Sequence, residues 1–549
     1  MSVSIPSAGA VGAVRKPSPF TSGTAIVVYV ALVRIVLYFF AGSHYGYFRD
    51  ELYYLACGEH PAWGYVDQPP LIGWIAWFLQ HTIGTSLWAL RLLPALAGAS
   101  TVVLAGLLAR ELGGRRSTPS SKLAGDPGRS TPSSKLAGDP GRWAMFLASL
   151  AALMAPVLLA LSHLFTMNAF DPLLWTGIAY LLVRIARDGS QTLWLVVGAL
   201  TGITILNKYA VLFWLAGVVI GICLTGLRSS LRHRWFWLGC ALTTAIAAPN
   251  FLWEWRHHFP FLELMHNVRA SGRDILLPPL PYLQAQAQML GFVAALLVLF
   301  ALLFFFSRQG RPYRALGWAY LIFLAEMMAL RGKLYYLAPV YPMLFAAGAV
   351  WMESATKLKR WIWAKPGLAL AIVAVAGIYA PTILPILSVP HFLAYEHAMG
   401  IEQQKFEHMQ PGVLPQLYAD MFGWEEIAQR VAAYYHTLSP EEQRKTAIFA
   451  NNYGEGGAID FFGPKYGLPK AIGGHQNYWI WGPRDYTGES MIILGEGEER
   501  NIKTDCASYS IVGDNKDPLS RRDEWLPIYH CRGFKWNLQT IWPELKRWQ

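Results

Sequence analysis

Apolar runs of about 17–25 residues, the length of helices that cross a bilayer, alternate with short polar connectors as far as residue 390. The runs near 21–42, 86–110, 143–162, 172–187, 192–207, 209–227, 235–253, 286–306, 315–330, 334–352 and 367–389 predict about 11 membrane-spanning helices. The run 71–84, LIGWIAWFLQHTIG, is too short to span, and Trp74, Trp77 and His81 suit a helix lying in the membrane interface. The first run is too long for a signal-peptide core and no convincing cleavage site follows it, so it is expected to remain as the first span. From about residue 391 the pattern changes. Charges rise, and Gly, Pro, Asn and Tyr gather in turn-like clusters. Residues 425–436 read as an amphipathic helix, and TAIFA (446–450), SMIILG (490–495) and SYSIVG (508–513) read as strands. The expected fold is an all-α polytopic membrane protein with a C-terminal soluble α/β domain. Residues 1–20 form a polar tail, 21–390 the membrane domain and 391–549 a unit large enough to fold alone.

Composition supports this division. Hydrophobic residues make up 54% of the 549 and charged residues 15%, against roughly 25% charged in soluble domains. The net charge of +11 first suggests nucleic acid, but the Lys and Arg sit in short connectors between apolar runs, as the positive-inside rule requires. With the N-terminus inside, the inner loops hold Arg15 and Lys16, the cations from Arg110 to Arg142, Arg184 and Arg187, Arg228, Arg232 and Arg234, Arg308, Arg311 and Arg314, and Lys357, Lys359, Arg360 and Lys365. That is roughly 21 cations, against about seven outside: Arg49, Lys208, Arg256, Arg269, Arg273, Arg331 and Lys333. The expected setting is therefore a plasma (inner) membrane with a cytosolic N-terminus, and membrane lipids rather than nucleic acid as partners. Loops 44–85, 163–171 and 254–285 then face outward, with the C-terminal domain. RSTPSSKLAGDPG occurs at 116–128 and again at 129–141. Its Ser, Thr, Pro and Gly cannot bury a core, so 113–142 is expected to be a disordered cytosolic loop. The five cysteines show no zinc-like spacing. Cys506 and Cys531 could pair in an oxidising compartment or remain two unrelated thiols.

Candidate chemistry concentrates on the outward side. HYGYFRDELYYLACGEHPAWGYVDQPP (44–70) sets Arg49, Asp50, Glu51, Glu59, His60 and Asp67 among Tyr, Trp and Pro. Asp171 stands at the outer start of a span, and Arg331-Gly332-Lys333-Leu334-Tyr335-Tyr336 links two later ones. A charge costs about 2.5–3.5 kcal/mol at mid-span and less toward the interface, so such residues pair or serve a function. The structural alternative is that Asp50 and Asp171 pair with Arg49, Arg331 or Lys333 to lock the bundle. In the tail, GGHQNYWIWGPRDY (473–486) suits stacking on a sugar ring or packing at the interface. Gly454, Gly456 and Gly457 match a dinucleotide-binding GxGxxG only imperfectly.

RDELYYLACGEHPAWGYVDQPPL (49–71) resembles the first extracytoplasmic loop of membrane glycosyltransferases with the GT-C fold, the protein O-mannosyltransferase-like enzymes and the lipid A aminoarabinose transferases. Both have an Asp-Glu pair just after the first span, here Asp50-Glu51, and then an aromatic-acidic-x-Pro-Pro segment, here Tyr65-Val66-Asp67-Gln68-Pro69-Pro70. GKLYYLAPVYPML (332–344) is similar to their late Tyr-rich motif, and NYGEGGAIDFFGPKYGLP (452–469) to tails of bacterial members. The resemblance implies transfer of a sugar from a polyprenyl-phosphate carrier to a lipid, glycan or protein acceptor outside the membrane, with inversion. It implies Asp50 as general base, Glu51 as its support, and Asp171 as a second cavity carboxylate. Arg331 and Lys333, with Arg269 and Arg273 behind them, would bind the donor phosphate. Asp67 and His266 correspond to a metal site of the aminoarabinose transferases, which makes a divalent ion a candidate cofactor. Gln68 stands where those relatives have Lys, which removes one phosphate contact. A reading from another class is a transporter or lipid flippase with Asp50 and Asp171 as coupling sites. Against it, no inverted repeat is visible and the carboxylates cluster on one face. A non-catalytic glycolipid-binding relative is a third reading.

Overall fold

The computed structural model describes residues 22–548 apart from 43, 115–140, 273, 357–361, 402–407, 409–411 and 496–498. The N-terminal tail, nearly all of the tandem repeat, Arg273, Lys357, Lys359 and Arg360 lie outside the described residues. Each of the apolar runs is helical. Among the described residues six helices are long and apolar enough to cross a membrane: Gly23–Ala41, Leu87–Gly113, Met167–Asp188, Arg234–Arg256, Leu334–Ala355 and Ala364–Ile383. Two pairs bent by 97° and 102° raise the number to 8 if each pair is one span, and Arg142–Met154 and Leu193–Asn207 are shorter apolar helices. The expected count of about 11 full spans thus divides into full-length, bent and short helices. Pro156 shows one cause. It opens a new helix, Pro156–Leu161, and so breaks the run 143–162.

Small residues let the helices approach. A methyl group on Gly198 of Leu193–Asn207 would collide with the backbone at Gly239 of Arg234–Arg256, a contact of the kind that drives association in lipid. The segment from Tyr341 to Val350 runs through the centre with every residue buried, while Phe39, Phe40 and Leu370 point outward. At one end of the bundle Glu111 pairs with Arg110 and Arg187. The other end carries the helices Arg49–Glu59 and Leu71–His81, the latter expected as interfacial, and the C-terminal domain.

That domain holds the expected helix, Trp424–Tyr435, and strands β1 (Thr446–Phe449), β2 (Ser490–Leu494) and β3 (Cys506–Asp514). A fourth strand, β4 (Pro527–Phe534), was not anticipated. Its sequence PIYHCRGF contains Pro, His, Arg and Gly and lacks the alternation that marks a strand. The sheet order is β1-β2-β4-β3, with β1 parallel to β2 and the other pairs antiparallel. Of the two alternatives for Cys506 and Cys531, the structure has the disulfide, joining β3 to β4. Leu52, Leu55 and Ala56 of the Arg49–Glu59 helix share one apolar core with Ile427, Val431, Ile448, Ile459 and Ile492 of the domain. The domain is therefore seated on the residues singled out by the sequence.

Candidate active site

The Arg49–Glu59 helix sends its two leading carboxylates in different directions, because consecutive helical residues differ by about 100° around the axis. Glu51 turns into the protein and is fully buried. It accepts hydrogen bonds from the Phe48 amide (2.9 Å), closing its own helix N-terminus, and from the Phe165 amide (2.9 Å). It also pairs with Arg91 through Nε and Nη2, both at 3.0 Å. Arg91 is fully buried too and donates to the carbonyls of Gly42 (3.1 Å) and Gly46 (2.8 Å). This group ties the first loop to the Leu87–Gly113 helix and to the 163–170 connection. Glu51 does not line the cleft.

Asp50 turns the other way, into a cleft of about 350 Å³. Thr166, Asn168, Gln288, Lys333, Tyr335 and Asp420 share its polar wall, and Pro156, Val157, Ala160, Leu161 and Leu164 give it an apolar side. The Tyr453 hydroxyl, from the C-terminal domain, donates to Asp50 Oδ1 at 2.9 Å. Arg49 lies 4.6 Å over the Tyr453 ring and 3.7 Å from Glu524. The Arg49 amide donates to the Asp420 carbonyl at 2.9 Å. Burial pushes the Asp420 carboxyl up to about 6, with Arg521 and Arg49 pulling against it.

Lys333 is 3.3 Å from Asp274. With Gln288 it also lines a second space of about 580 Å³, which includes Arg331 and Gln284. The two spaces thus meet at Lys333 and Gln288. Asp171 does not line the first cleft. It is 3% exposed and accepts from Asn207 Nδ2 at 2.7 Å. Lys208 connects it to the wall. The Lys208 ammonium donates to Asn168 Oδ1 and lies 4.9 and 4.5 Å over the rings of Tyr335 and Tyr336. Sequence reasoning counted Lys208 only as an outer-loop cation, and missed Asp420 and Tyr453 altogether. The one local signal for Lys208 was its place at the end of an apolar run.

Asp67 accepts from the Tyr53 hydroxyl (2.9 Å), which in turn receives Asn477 Nδ2 at 2.5 Å. Burial pushes Asp67 up to about 7, opposed by the Tyr53 hydrogen bond and reinforced by the charge of Asp50. His266 does not join it. On the Pro260–Ser271 helix, Leu264 and Val268 pack with Val66 and Trp548. His266, about 200° from Leu264 by helical geometry, falls on the opposite, exposed face, and Arg269 is exposed as well. Among the described residues no group of three or more His, Cys, Asp and Glu could hold a metal. Gln68 is buried, with Nε2 3.6 Å from Cys57 Sγ, and does not reach the cleft. The aromatic tail segment packs on the bundle: Trp481 stacks on His60 at 4.4 Å and Asn477 Oδ1 accepts from the Val66 amide.

A multi-pass bundle with this cleft between the Arg49–Glu59 helix, a late Tyr-rich connection and a capping α/β domain has the GT-C fold. The chain superposes on ArnT from Cupriavidus metallidurans bound to undecaprenyl phosphate with a TM-score of 0.55 and 16% identity, covering 93% of this chain and 98% of that one. For the apo state of ArnT the values are 0.54, 17%, 92% and 97%. Residues 139–253 match the family model of dolichyl-phosphate-mannose-protein mannosyltransferases. No curated protein matches the chain significantly in sequence.

Proposed function

We propose that the protein is a membrane glycosyltransferase that takes a sugar from a polyprenyl-phosphate carrier and gives it to an acceptor on the side of the C-terminal domain. The observation that carries this reading is the position of Asp50 in one cleft with Lys333, beside an apolar wall that suits a lipid tail. The acceptor hydroxyl or amine attacks the anomeric carbon and loses its proton to the Asp50 carboxylate. The bond from that carbon to the carrier phosphate breaks, and the phosphate leaves with the electron pair. Attack from the face opposite the leaving group inverts the anomeric centre. Lys333, where the two spaces meet, and Arg331 in the second space stabilise the negative charge that develops on the phosphate. Arg269 stands exposed on the Pro260–Ser271 helix. Asp171 acts through Asn207 and Lys208 on the cleft wall. The likeness to a protein solved with undecaprenyl phosphate supports a lipid-phosphate donor, and the family matched by residues 139–253 supports sugar transfer.

The test offers purified protein, in bilayers, undecaprenyl phosphate carrying radiolabelled mannose or aminoarabinose, together with an envelope acceptor fraction. Asp50→Asn is expected to lower transfer by about 10²–10⁴-fold while leaving the thermal melt unchanged. Full transfer by Asp50→Asn removes the base assignment. Lipid scrambling without transfer by the wild type removes the enzyme.

A further inference from the structure

The tail segment NYGEGGAIDFF (452–462) is a helix, Tyr453–Phe462, begun by Asn452, whose Oδ1 accepts from the amides of Gly454 (2.9 Å) and Glu455 (3.1 Å). Its glycines serve close packing. A Cβ on Gly457 would stand 2.9 Å from the backbone carbon of Leu52 and 3.0 Å from the Tyr53 nitrogen. One on Gly454 would stand 2.7 Å from Arg49 Cγ. Two helices from opposite ends of the chain thus meet almost backbone to backbone, and the first residue of the second is delivered to Asp50. The Tyr453 ring is fixed by its neighbours: the Arg49 guanidinium at 4.6 Å, the Tyr53 ring at 4.7 Å and the stacked His475 ring at 5.3 Å. Its amide donates to His475 Nδ1 at 3.2 Å.

We propose that Tyr453 is a positioning residue for the transfer reaction, by which the C-terminal domain fixes the Asp50 carboxylate at the cleft wall through the hydrogen bond from its phenol. This rests on the reading of Asp50 as the base. It makes the soluble domain part of the reaction centre as well as a cover for it. A donor locked by packing holds a carboxylate in one orientation, and a hydrogen bond to the charged form favours that form. The other groups that bear on Asp50 are Arg49 and Tyr54 on its own helix, Asp67 beyond them, Asp420 at the base of the domain and Lys333 in the same cleft. Removal of one phenol oxygen leaves each of these side chains in place, with Arg49 still over the ring, so the shift reads the loss of that oxygen.

The experiment is an infrared pH titration of the full-length protein in detergent. The difference between wild type and Asp50→Asn isolates the Asp50 carboxyl band. In Tyr453→Phe, which keeps the ring and its contacts, the midpoint of that band is expected about one pH unit higher. Incorporation of 3-fluorotyrosine at 453, a stronger donor, is expected to move it the opposite way. With the labelled donors above, Tyr453→Phe lowers kcat about 10-fold, leaves KM for the donor unchanged and moves the acid limb of the rate profile upward. A midpoint that moves with neither variant overturns the proposal. The two readings fail separately. Transfer by Asp50→Asn removes the base itself, whereas an inactive Asp50→Asn beside an unshifted Tyr453→Phe removes only Tyr453.

Discussion

Loops 44–85 and 254–285 both carry charged and aromatic residues between apolar helices, and both were read as suppliers of the site. The first lines the cleft with Phe48 and Asp50. Its Glu51 is sealed against Arg91, its Asp50 is held by Tyr453, and its Asp67 lies under Tyr53 and Asn477. The second reaches the cleft through Asp274, 3.3 Å from Lys333, and leaves His266 and Arg269 exposed. The difference comes from the C-terminal domain. It closes over the first loop with a whole helix and a shared core. It touches the second mainly through Trp548 against Leu264 and Val268, the Lys546–Glu263 pair at 2.7 Å and a hydrogen bond from Asn267 to the Trp548 carbonyl. A charge in a loop gains strong partners when another element excludes water from it, because only then do those partners act at low dielectric.

The largest effect expected within this contrast belongs to Glu51. Glu51→Ala leaves Arg91 buried without its carboxylate and strips the acceptor from the Phe48 and Phe165 amides. Loss of one partner of a buried pair costs about 3–5 kcal/mol. The variant should therefore unfold at markedly lower temperature or fail to accumulate, unlike Asp50→Asn. A Glu51→Ala protein that melts like wild type yet does not transfer sugar would return Glu51 to the chemistry.

A smaller effect concerns pH. Glu455 is fully buried in the covering helix and accepts from the amides of Asn451 (2.8 Å) and Asn452 (3.3 Å). Burial first, and then the charge of Glu524, raise its carboxyl above the ordinary value of 4.5. The folded protein then keeps a proton that the unfolded chain has released, so it binds more protons over that interval. Its contribution to stability is full below the ordinary value and is lost as pH rises through the raised one. Glu455→Gln should flatten the fall in melting temperature between about pH 5 and 8, measured as melts across that range. An unchanged slope would assign the dependence to Asp67 and Asp420, which are raised to about 7 and about 6.

The helical runs were legible because length and hydropathy act locally, and Asp50 was legible through the motif it opens. What escaped depends on distance along the chain. Arg91 lies 40 residues from Glu51 and Tyr453 lies 403 from Asp50, and neither pairing has a local pattern. The glycines of 454–457 match a phosphate loop only imperfectly, and their packing role has no local sign, because a sequence shows missing side chains without showing what approaches the gap. β4 was hidden for a related reason. Its central residues are buried on both faces, so alternation, the usual mark of a strand, is absent.

The smallest expected effect is at His266. An exposed side chain with no packing role changes stability by less than about 0.5 kcal/mol when truncated. Its helix face is fixed by Leu264 and Val268 and cannot turn toward Asp67 without breaking their contact with Val66. His266→Ala should then melt and transfer sugar like wild type, and a chelator should alter both proteins equally. Arg269→Ala tests the same face by charge, with an expected donor KM close to wild type. If His266→Ala loses transfer, and added zinc restores the wild type but not the variant after chelation, the Pro260–Ser271 helix must rotate during the reaction. The second loop would then be a moving part of the site, and the contrast between the covered and the exposed loop would hold only for the resting protein.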